Sequence, residues 1–254
     1  MIRGPAARAA IITQLGLLAF ACTPMGNNPP ASSSSTASGS STASGGTSLT
    51  AQQRAAGWRS LFDGSSTSAW RGYKAQAFPT GWQIVDGVLT KTGEVADIMT
   101  RDQFGNFELA LDWKLGKGGN AGIFYRGTEE YDHIYWSAPE YQLLDDPNHP
   151  DGQSRLTSAG ADYGLYPSRA GVVNPADQWN STLIVANGKT VQHWLNGQKL
   201  VEYEIGSADW QAKVKASKFL AYPNYGLAPK GYIAIQGDHD GALSIRNVRI
   251  RVLP

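Results

Sequence analysis

The sequence predicts an all-β domain: a two-sheet antiparallel sandwich of jelly-roll type with one short helix. Three observations lead there. Apolar residues recur with a period of two through most of residues 57–254. Asn-Gly and Asp-Gly pairs separate several of these runs, and type I′ hairpin turns favour those pairs because both central residues take positive φ. The 254-residue chain has 29 Gly and 8 Trp and is only 17% charged, which suits turn-rich sheet better than a helical bundle.

The elements follow in order. Gly81–Lys91 (GWQIVDGVLTK) reads as two short strands about Asp86-Gly87. Phe107, Leu109, Leu111, Trp113 and Leu115 alternate with Glu108, Ala110, Asp112 and Lys114, the pattern of a half-buried strand. Gln178–Ala186, Lys189–Leu195 and Gln198–Ile205, parted by Asn187-Gly188 and Asn196-Gly197, form a three-stranded meander. Ser207 is placed to cap a helix carrying Trp210 and Val214 four apart. Lys230–Gly237 and Ala242–Val252 are the closing strands. In the last, Leu243 and Ile245 occupy one parity and Val248, Ile250 and Val252 the other, so a bulge is expected near Asn247.

The first 56 residues have a different character. Arg3 and Arg8 precede an apolar run, Ala9–Ala21, that is shorter than the about 20 residues needed to span a bilayer and has the length of a signal-peptide core. Ala19-Phe20-Ala21 fits a small-x-small cleavage site, and Cys22, the only cysteine, comes next. Residues 1–22 are therefore expected to be a signal peptide ending at a lipidated Cys22, although Ala19 stands where a lipobox carries Leu. The other reading is plain cleavage after Ala21. Residues 31–46 consist only of Ala, Ser, Thr and Gly, a composition that cannot offset its own ordering entropy, so 23–56 are expected to be a tether with a reach of roughly 30–35 Å. The expected location is outside the cytoplasm, as a periplasmic or outer-membrane-tethered lipoprotein or else a secreted protein.

Charge and cysteine count exclude several functions. With 22 Lys+Arg against 21 Asp+Glu, the chain is no counterion-releasing nucleic-acid binder. One cysteine excludes a disulfide framework and a Cys-rich metal site. Neither a Gly-x-Ser-x-Gly elbow nor His-Glu-x-x-His occurs.

The densest polar stretch is 118–151. Asn120 stands at a loop-to-strand entry, with Arg126 on the same nominal parity. Glu140 and Gln142 share a face of the next strand, and Asp145 joins them only if a bulge resets the parity. Carboxylate and amide groups on one concave face suit a sugar, whose hydroxyls need both acceptors and donors; the bland alternative is an edge-strand Glu in water. His193 shares parity with Val191 and Leu195, as a core histidine or a base. His239, between Asp238 and Asp240 in a turn, is either solvated or a base oriented by a carboxylate. His133 and His149 lie in loop-like stretches. Trp70, Trp82, Trp136 and Trp179 are core residues or stacking platforms, and Lys218 follows the helix.

Several signals coincide with a known family. They are Trp58-Arg59-Ser60-Leu61-Phe62-Asp63-Gly64, Trp70, Trp82, Asp86-Gly87-Val88-Leu89, Asn120–Arg126 (NAGIFYR), Glu140–Asp145 (EYQLLD), Gln178-Trp179-Asn180, His193–Gly197 (HWLNG) and Arg246-Asn247-Val248. Together, and in order across 57–254, they resemble the 3-keto-disaccharide hydrolase domain family, also described as 3-keto-glucoside 1,2-lyase/2-hydroxyglucal hydratase. The resemblance implies a concanavalin A-like jelly roll of the lectin/glucanase type. It also implies cleavage of 3-keto-glucosides by C2 deprotonation, elimination of the C1 substituent and rehydration. On that basis Glu140 or His193 is the expected base, and Arg126, Asn120, Lys218 and Gln142 stabilise developing charge. Asp145, Gln236 and His239 complete the substrate site. A divalent ion held by Glu140 and His193 is an alternative means of polarising the ketone. One departure stands out: the family pattern Gln-Asp-His-Gly is here Gln236-Gly237-Asp238-His239, and the added glycine bears on where His239 aims.

Two other readings share the fold. A laminarinase-like glycoside hydrolase needs three acids on one strand, whereas Gln142 occupies the middle position here. A non-catalytic carbohydrate-binding module needs the aromatic and amide groups but no base.

Overall fold

The computed structural model describes residues 48–254. The expected signal segment, Cys22 and the tether up to residue 47 lie outside the described residues. The stretch just before the domain is not all tether: Ala51–Ala55 forms a one-turn helix (α1), because Thr50 and Gln53 close a reciprocal capping box. Among the described residues no helix is long and apolar enough to cross a membrane.

Thirteen strands follow in chain order: β1 (Trp58–Phe62), β2 (Trp70–Gly72), β3 (Gln83–Val85), β4 (Val88–Lys91), β5 (Ile98–Thr100), β6 (Phe107–Leu115), β7 (Asn120–Gly127), β8 (Glu140–Leu144), β9 (Asn180–Asn187), β10 (Thr190–Leu195), β11 (Gln198–Glu204), β12 (Tyr232–Ile235) and β13 (Leu243–Val252). The helix α2 (Ala208–Lys215) separates β11 from β12, and the Ser207 hydroxyl caps it by accepting from the Trp210 N–H at 3.1 Å. An eight-stranded sheet runs β11-β10-β9-β6-β13-β4-β3, with β1 also paired to β13. A five-stranded sheet runs β2-β5-β12-β7-β8. The pairings between these strands are antiparallel.

The turn chemistry of the sequence is mostly realised. Asp86-Gly87 and Asn196-Gly197 have positive φ at both residues, as a type I′ turn requires. The first meander turn differs. Asn187 pairs with Thr190, so the two-residue loop is Gly188-Lys189, and only Gly188 has positive φ. This is the glycine-first arrangement of type II′, and Asn106 Oδ1 fixes it by accepting from the Gly188 N–H at 2.9 Å. The bulge near Asn247 is present: the β13–β6 register shifts between Arg246 and Arg249, with Asn247 at φ 57°.

The main core lies between the sheets and is formed by residues such as Leu109, Leu111 and Ile184 from one side and Ile123, Tyr141 and Leu143 from the other. A second cluster, comprising Met99, Phe124, Ile134, Ala138 and Ala234, covers the other face of the five-stranded sheet. The strand β8 is buried at every residue. The free edge of β8 is shielded too, since Gln142 N–H donates to Ala161 O and Tyr163 N–H donates to Glu140 O, both at 3.1 Å. Glu140 is therefore not the solvated edge residue that its sequence context permits.

Candidate functional site

The site grows from the pairing of β7 with β8. Asn120 stands opposite Leu144, Gly122 opposite Gln142 and Phe124 opposite Glu140, and cross-strand partners share a face. Glu140 and Gln142 thus project to the side away from the main core, while Tyr141 and Leu143 project into it. The neighbouring strand β12 leads to Gln236, whose N–H donates to Gly122 O at 2.9 Å. Loops distant in sequence wall this floor: the 3₁₀ turn Ile134–Trp136, the turn Pro150–Gln153, Tyr163, and the turn Lys218–Ala221. They enclose a pocket of about 270 Å³ lined by Asn120, Tyr135, Trp136, Glu140, Gln142, Asp151, Tyr163, Lys218, Gln236, Asp238 and His239.

The pocket is rich in acceptors without donors. Gln142 Nε2 donates to Asn120 Oδ1 at 3.2 Å, but Gln142 Oε1, Gln236 Oε1 and Asp238 Oδ1 are buried with no protein partner. Buried polar atoms are normally satisfied, so each of these oxygens has spare capacity to accept a hydrogen bond. Glu140 is the buried acid of the floor. Burial pushes its carboxyl up to about 8; the nearby Lys218 charge opposes this, and the negative charges of Asp162, Asp238 and Asp97 add to it. Its side chain folds back over Gly122: a Cβ at that glycine would stand 2.3 Å from Glu140 Oε1. Gly122→Ala is therefore expected to evict the carboxylate and lower turnover by about 10-fold or more with the fold retained. Steady-state kinetics beside a melting curve check this.

Lys218 stands among rings, its Nζ 4.6 Å from the centre of Tyr163 and 5.6 Å from that of Trp136. Trp136 is itself stacked on Tyr222 at 4.3 Å. Across the pocket, the 236–241 segment links β12 in one sheet to β13 in the other, so it bridges the sheets instead of closing a hairpin. Lys91, buried at 2% exposure, holds it by donating to His239 O at 2.5 Å, Gly241 O at 3.1 Å and Gly93 O at 3.2 Å. Asp97 holds it too, accepting from the Gly237 N–H at 2.7 Å. The added glycine has a steric reason: a Cβ at Gly237 would lie 2.6 Å from Val95 O.

Of the residues expected from the sequence, Asn120, Glu140, Gln142, Lys218, Gln236 and His239 meet in this pocket. Arg126, Asp145 and His193 do not line it. Arg126 takes φ 54° at a register shift between β7 and β12, which cancels the parity it would share with Asn120; its Nε donates to Gly105 O at 2.8 Å instead. Asp145 is a clamp, its Oδ2 accepting from the Gly118 N–H at 2.7 Å and from Asn148 Nδ2 at 2.9 Å. His193 lies between the sheets, fully buried, with Nε2 2.8 Å from the Tyr125 hydroxyl and Nδ1 3.1 Å from Gly160 O. It packs against Tyr141, whose ring points to the opposite face of β8 from Glu140. The strand itself separates Glu140 from His193, so the two cannot share a metal ion. Among the described residues no group of three or more His, Cys, Asp and Glu side chains is arranged to hold one.

Burial lowers His193 to about 4, so it folds as the neutral imidazole. Because its unfolded value is near 6.5, its contribution to stability is lost as pH falls from about 6.5 towards 4. His193→Leu is expected to cost about 1–3 kcal/mol at pH 7 by orphaning its buried partners and to leave turnover within a few-fold. The gap in melting temperature from wild type narrows on acidification.

Trp70 and Trp82 are core residues, and Trp179 lies under Arg246, whose guanidinium carbon is 4.0 Å from the ring centre. His133 is exposed and stacks on Tyr135, while His149 Nδ1 accepts from the Asp151 N–H. The sequence reading missed Tyr135, Asp151, Tyr163 and Asp238 as lining residues. Only Asp238, beside His239 in a polar turn, carried a local signal.

With this geometry in view, the comparisons decide the family. Residues 57–251 match the model of the 3-keto-alpha-glucoside-1,2-lyase-like domain. The chain belongs to this family. A family relative from Bacteroides thetaiotaomicron, named 3-keto-disaccharide hydrolase, is 33% identical over 81% of this chain and 82% of its own length. A crystal structure from Parabacteroides distasonis, named as a candidate glycosyl hydrolase, is 34% identical, covering 82% of this chain and 99% of the other with a TM-score of 0.76. A second Parabacteroides distasonis structure is 29% identical over 77% of this chain and 99% of its own, with a TM-score of 0.63.

Proposed function

We propose that the pocket binds a 3-keto-glucoside and cleaves it by C2 deprotonation, elimination of the C1 substituent and rehydration. Family membership and the name of the Bacteroides relative support glycoside processing in general. The observation that carries the finer reading is the placement of Glu140: a buried carboxyl, pushed up to about 8 by that burial, on the floor of a sugar-sized pocket beside the amides of Asn120, Gln142 and Gln236.

A ketone at C3 acidifies the C2–H, so the glycosidic bond breaks without the nucleophile-and-acid pair of ordinary glycosidases. The site must then take a proton from C2, give one to the departing oxygen and stabilise the enolate oxygen. Glu140 was expected as a base. With its carboxyl pushed up to about 8, it holds a proton at neutral pH and is suited to donate to the leaving oxygen. The Lys218 ammonium, bordering the pocket, suits the enolate oxygen, and the amides of Asn120, Gln142 and Gln236 suit the remaining hydroxyls and carbonyl.

The test is aglycone release from 3-keto-glucosides alongside the same glucosides unoxidised. Release from the oxidised series alone supports the reading. Cleavage of plain β-glucan would make the protein a glycanase, and binding without turnover would make it a carbohydrate-binding module. As an acid, Glu140 must be protonated, so kcat/KM is expected to fall as pH rises through about 8. A rate that climbs through that pH would return Glu140 to the role of base.

The expected location carries over from the sequence: export, with lipid on Cys22 holding the enzyme in the periplasm or at the outer membrane. Cys22→Ser is expected to move the protein from the membrane fraction to the soluble one, as read by fractionation.

A further inference from the structure

With Glu140 assigned as the acid, the reaction still needs a second group in the same pocket to receive the proton from C2. Two other carboxyls line the pocket, Asp151 and Asp238. Asp151 has a weak partner, accepting from the Tyr163 hydroxyl at 3.5 Å. Asp238 differs: its Oδ1 is shielded from water and has no hydrogen-bond partner among the described residues. A buried oxygen left without a donor is costly, and this one is held in place from both sides. Asp97 accepts from the Gly237 N–H before it, and Lys91 binds the His239 and Gly241 carbonyls after it. Gly237 allows the backbone to press against residues 95 and 96 where any side chain would collide. The segment therefore holds Asp238, with one carboxylate oxygen unpaired, in the wall of the same cavity as Glu140.

We propose that Asp238 is the base that removes the C2 proton, with Glu140 as its acid partner. The assignment rests on the 3-keto-glucoside reading. The charge relation is consistent with it, since Asp238 acts on Glu140 as a negative charge that helps keep the glutamic acid protonated. In the first half-reaction the Asp238 carboxylate accepts the C2 proton and the C–H electron pair enters the enolate. That pair forms the C1–C2 double bond as the C1–O bond breaks, and the leaving oxygen takes the Glu140 proton, so the aglycone departs as an alcohol. In the second half, ionised Glu140 takes a proton from water and the water oxygen bonds to C1. Asp238 then returns its proton to C2. Both carboxyls end as they began, and nothing is oxidised or reduced.

The two roles separate by leaving group. The full-length protein is assayed with methyl and p-nitrophenyl 3-keto-glucosides, each with hydrogen or deuterium at C2. Asp238→Asn is expected to slow both substrates by about 10²–10⁴-fold, with a melting temperature near wild type. Glu140→Gln slows the methyl substrate far more, because nitrophenolate departs without a proton. Formate is expected to restore part of the activity of Asp238→Ala, and the wild type shows a primary isotope effect at C2. The assignment is overturned if Asp238→Asn keeps its rate within a few-fold, or if its loss is confined to the methyl substrate, the signature of an acid. If the wild type leaves both keto-sugars intact, the 3-keto-glucoside reading fails and the assignment goes with it.

Discussion

Glu140→Gln is expected to remove nearly all turnover of methyl 3-keto-glucoside while raising the stability of the fold. The activity loss, about 10²–10⁴-fold, is the usual effect of deleting a positioned acid. The gain in stability follows from the same burial. Burial pushes the Glu140 carboxyl up to about 8 in the folded protein from an ordinary value near 4.5, so the native state binds the proton more tightly than the unfolded chain. Its contribution is intact below about pH 4.5 and is lost progressively as pH rises to about 8. Above pH 8 the wild type bears the full cost of a buried carboxylate, on the order of 3–5 kcal/mol, and the amide does not. Melting temperatures across pH 5–9 check this: the variant's advantage should widen with pH and level off above about 8. An unchanged gap across that range would show that Glu140 is better solvated than its surroundings indicate. Such opposition of stability and activity is common where a site holds a group in a costly environment.

Lys91→Met is expected to have the second large effect, from a residue that does not line the pocket. The ammonium is buried, and that burial lowers its affinity for protons while Asp240, Asp238, Asp97 and Glu94 act the other way. Methionine fills similar space but orphans the carbonyls of Gly93, His239 and Gly241. It also removes the cation that helps keep Asp97 from rising beyond about 6. Destabilisation of about 2–5 kcal/mol is expected, together with a fall in kcat as the 237–241 segment loosens and Asp238 and His239 lose their aim. Thermal melts and kinetics at a temperature where the variant remains folded separate the two effects. A destabilised protein with unchanged kcat would show that the segment keeps its shape without Lys91.

The local geometry was largely readable in advance, because strand periodicity and turn chemistry are local properties. The alternation at 107–115, the I′ turns at Asp86-Gly87 and Asn196-Gly197, the Ser207 cap and the bulge at Asn247 all appear where the residues require them. Parity alone put Glu140 beside Gln142. It also put His193 with Val191 and Leu195 on the packed side, which proved to be the interior between the sheets. Parity cannot tell a core face from a site face, however, and here the two lie on opposite sides of one strand. Arg126 shows a second gap: a non-glycine residue at positive φ leaves no mark in a period-two pattern, and a one-residue slip sends a side chain elsewhere.

What the chain order could not disclose is which loops converge. Tyr135, Asp151, Tyr163, Lys218 and Asp238 come from five separate segments and meet only because β12 and β13 join different sheets and β8 is covered on both faces. Burial, and with it the proton on Glu140, depends on that packing. Residue order is enough to specify strands, turns and the faces of each strand, since these follow from neighbours a few positions apart. The depth of a carboxyl and the company it keeps are set by contacts between segments far apart in the chain, so they exist only once the two layers and their loops have closed around it.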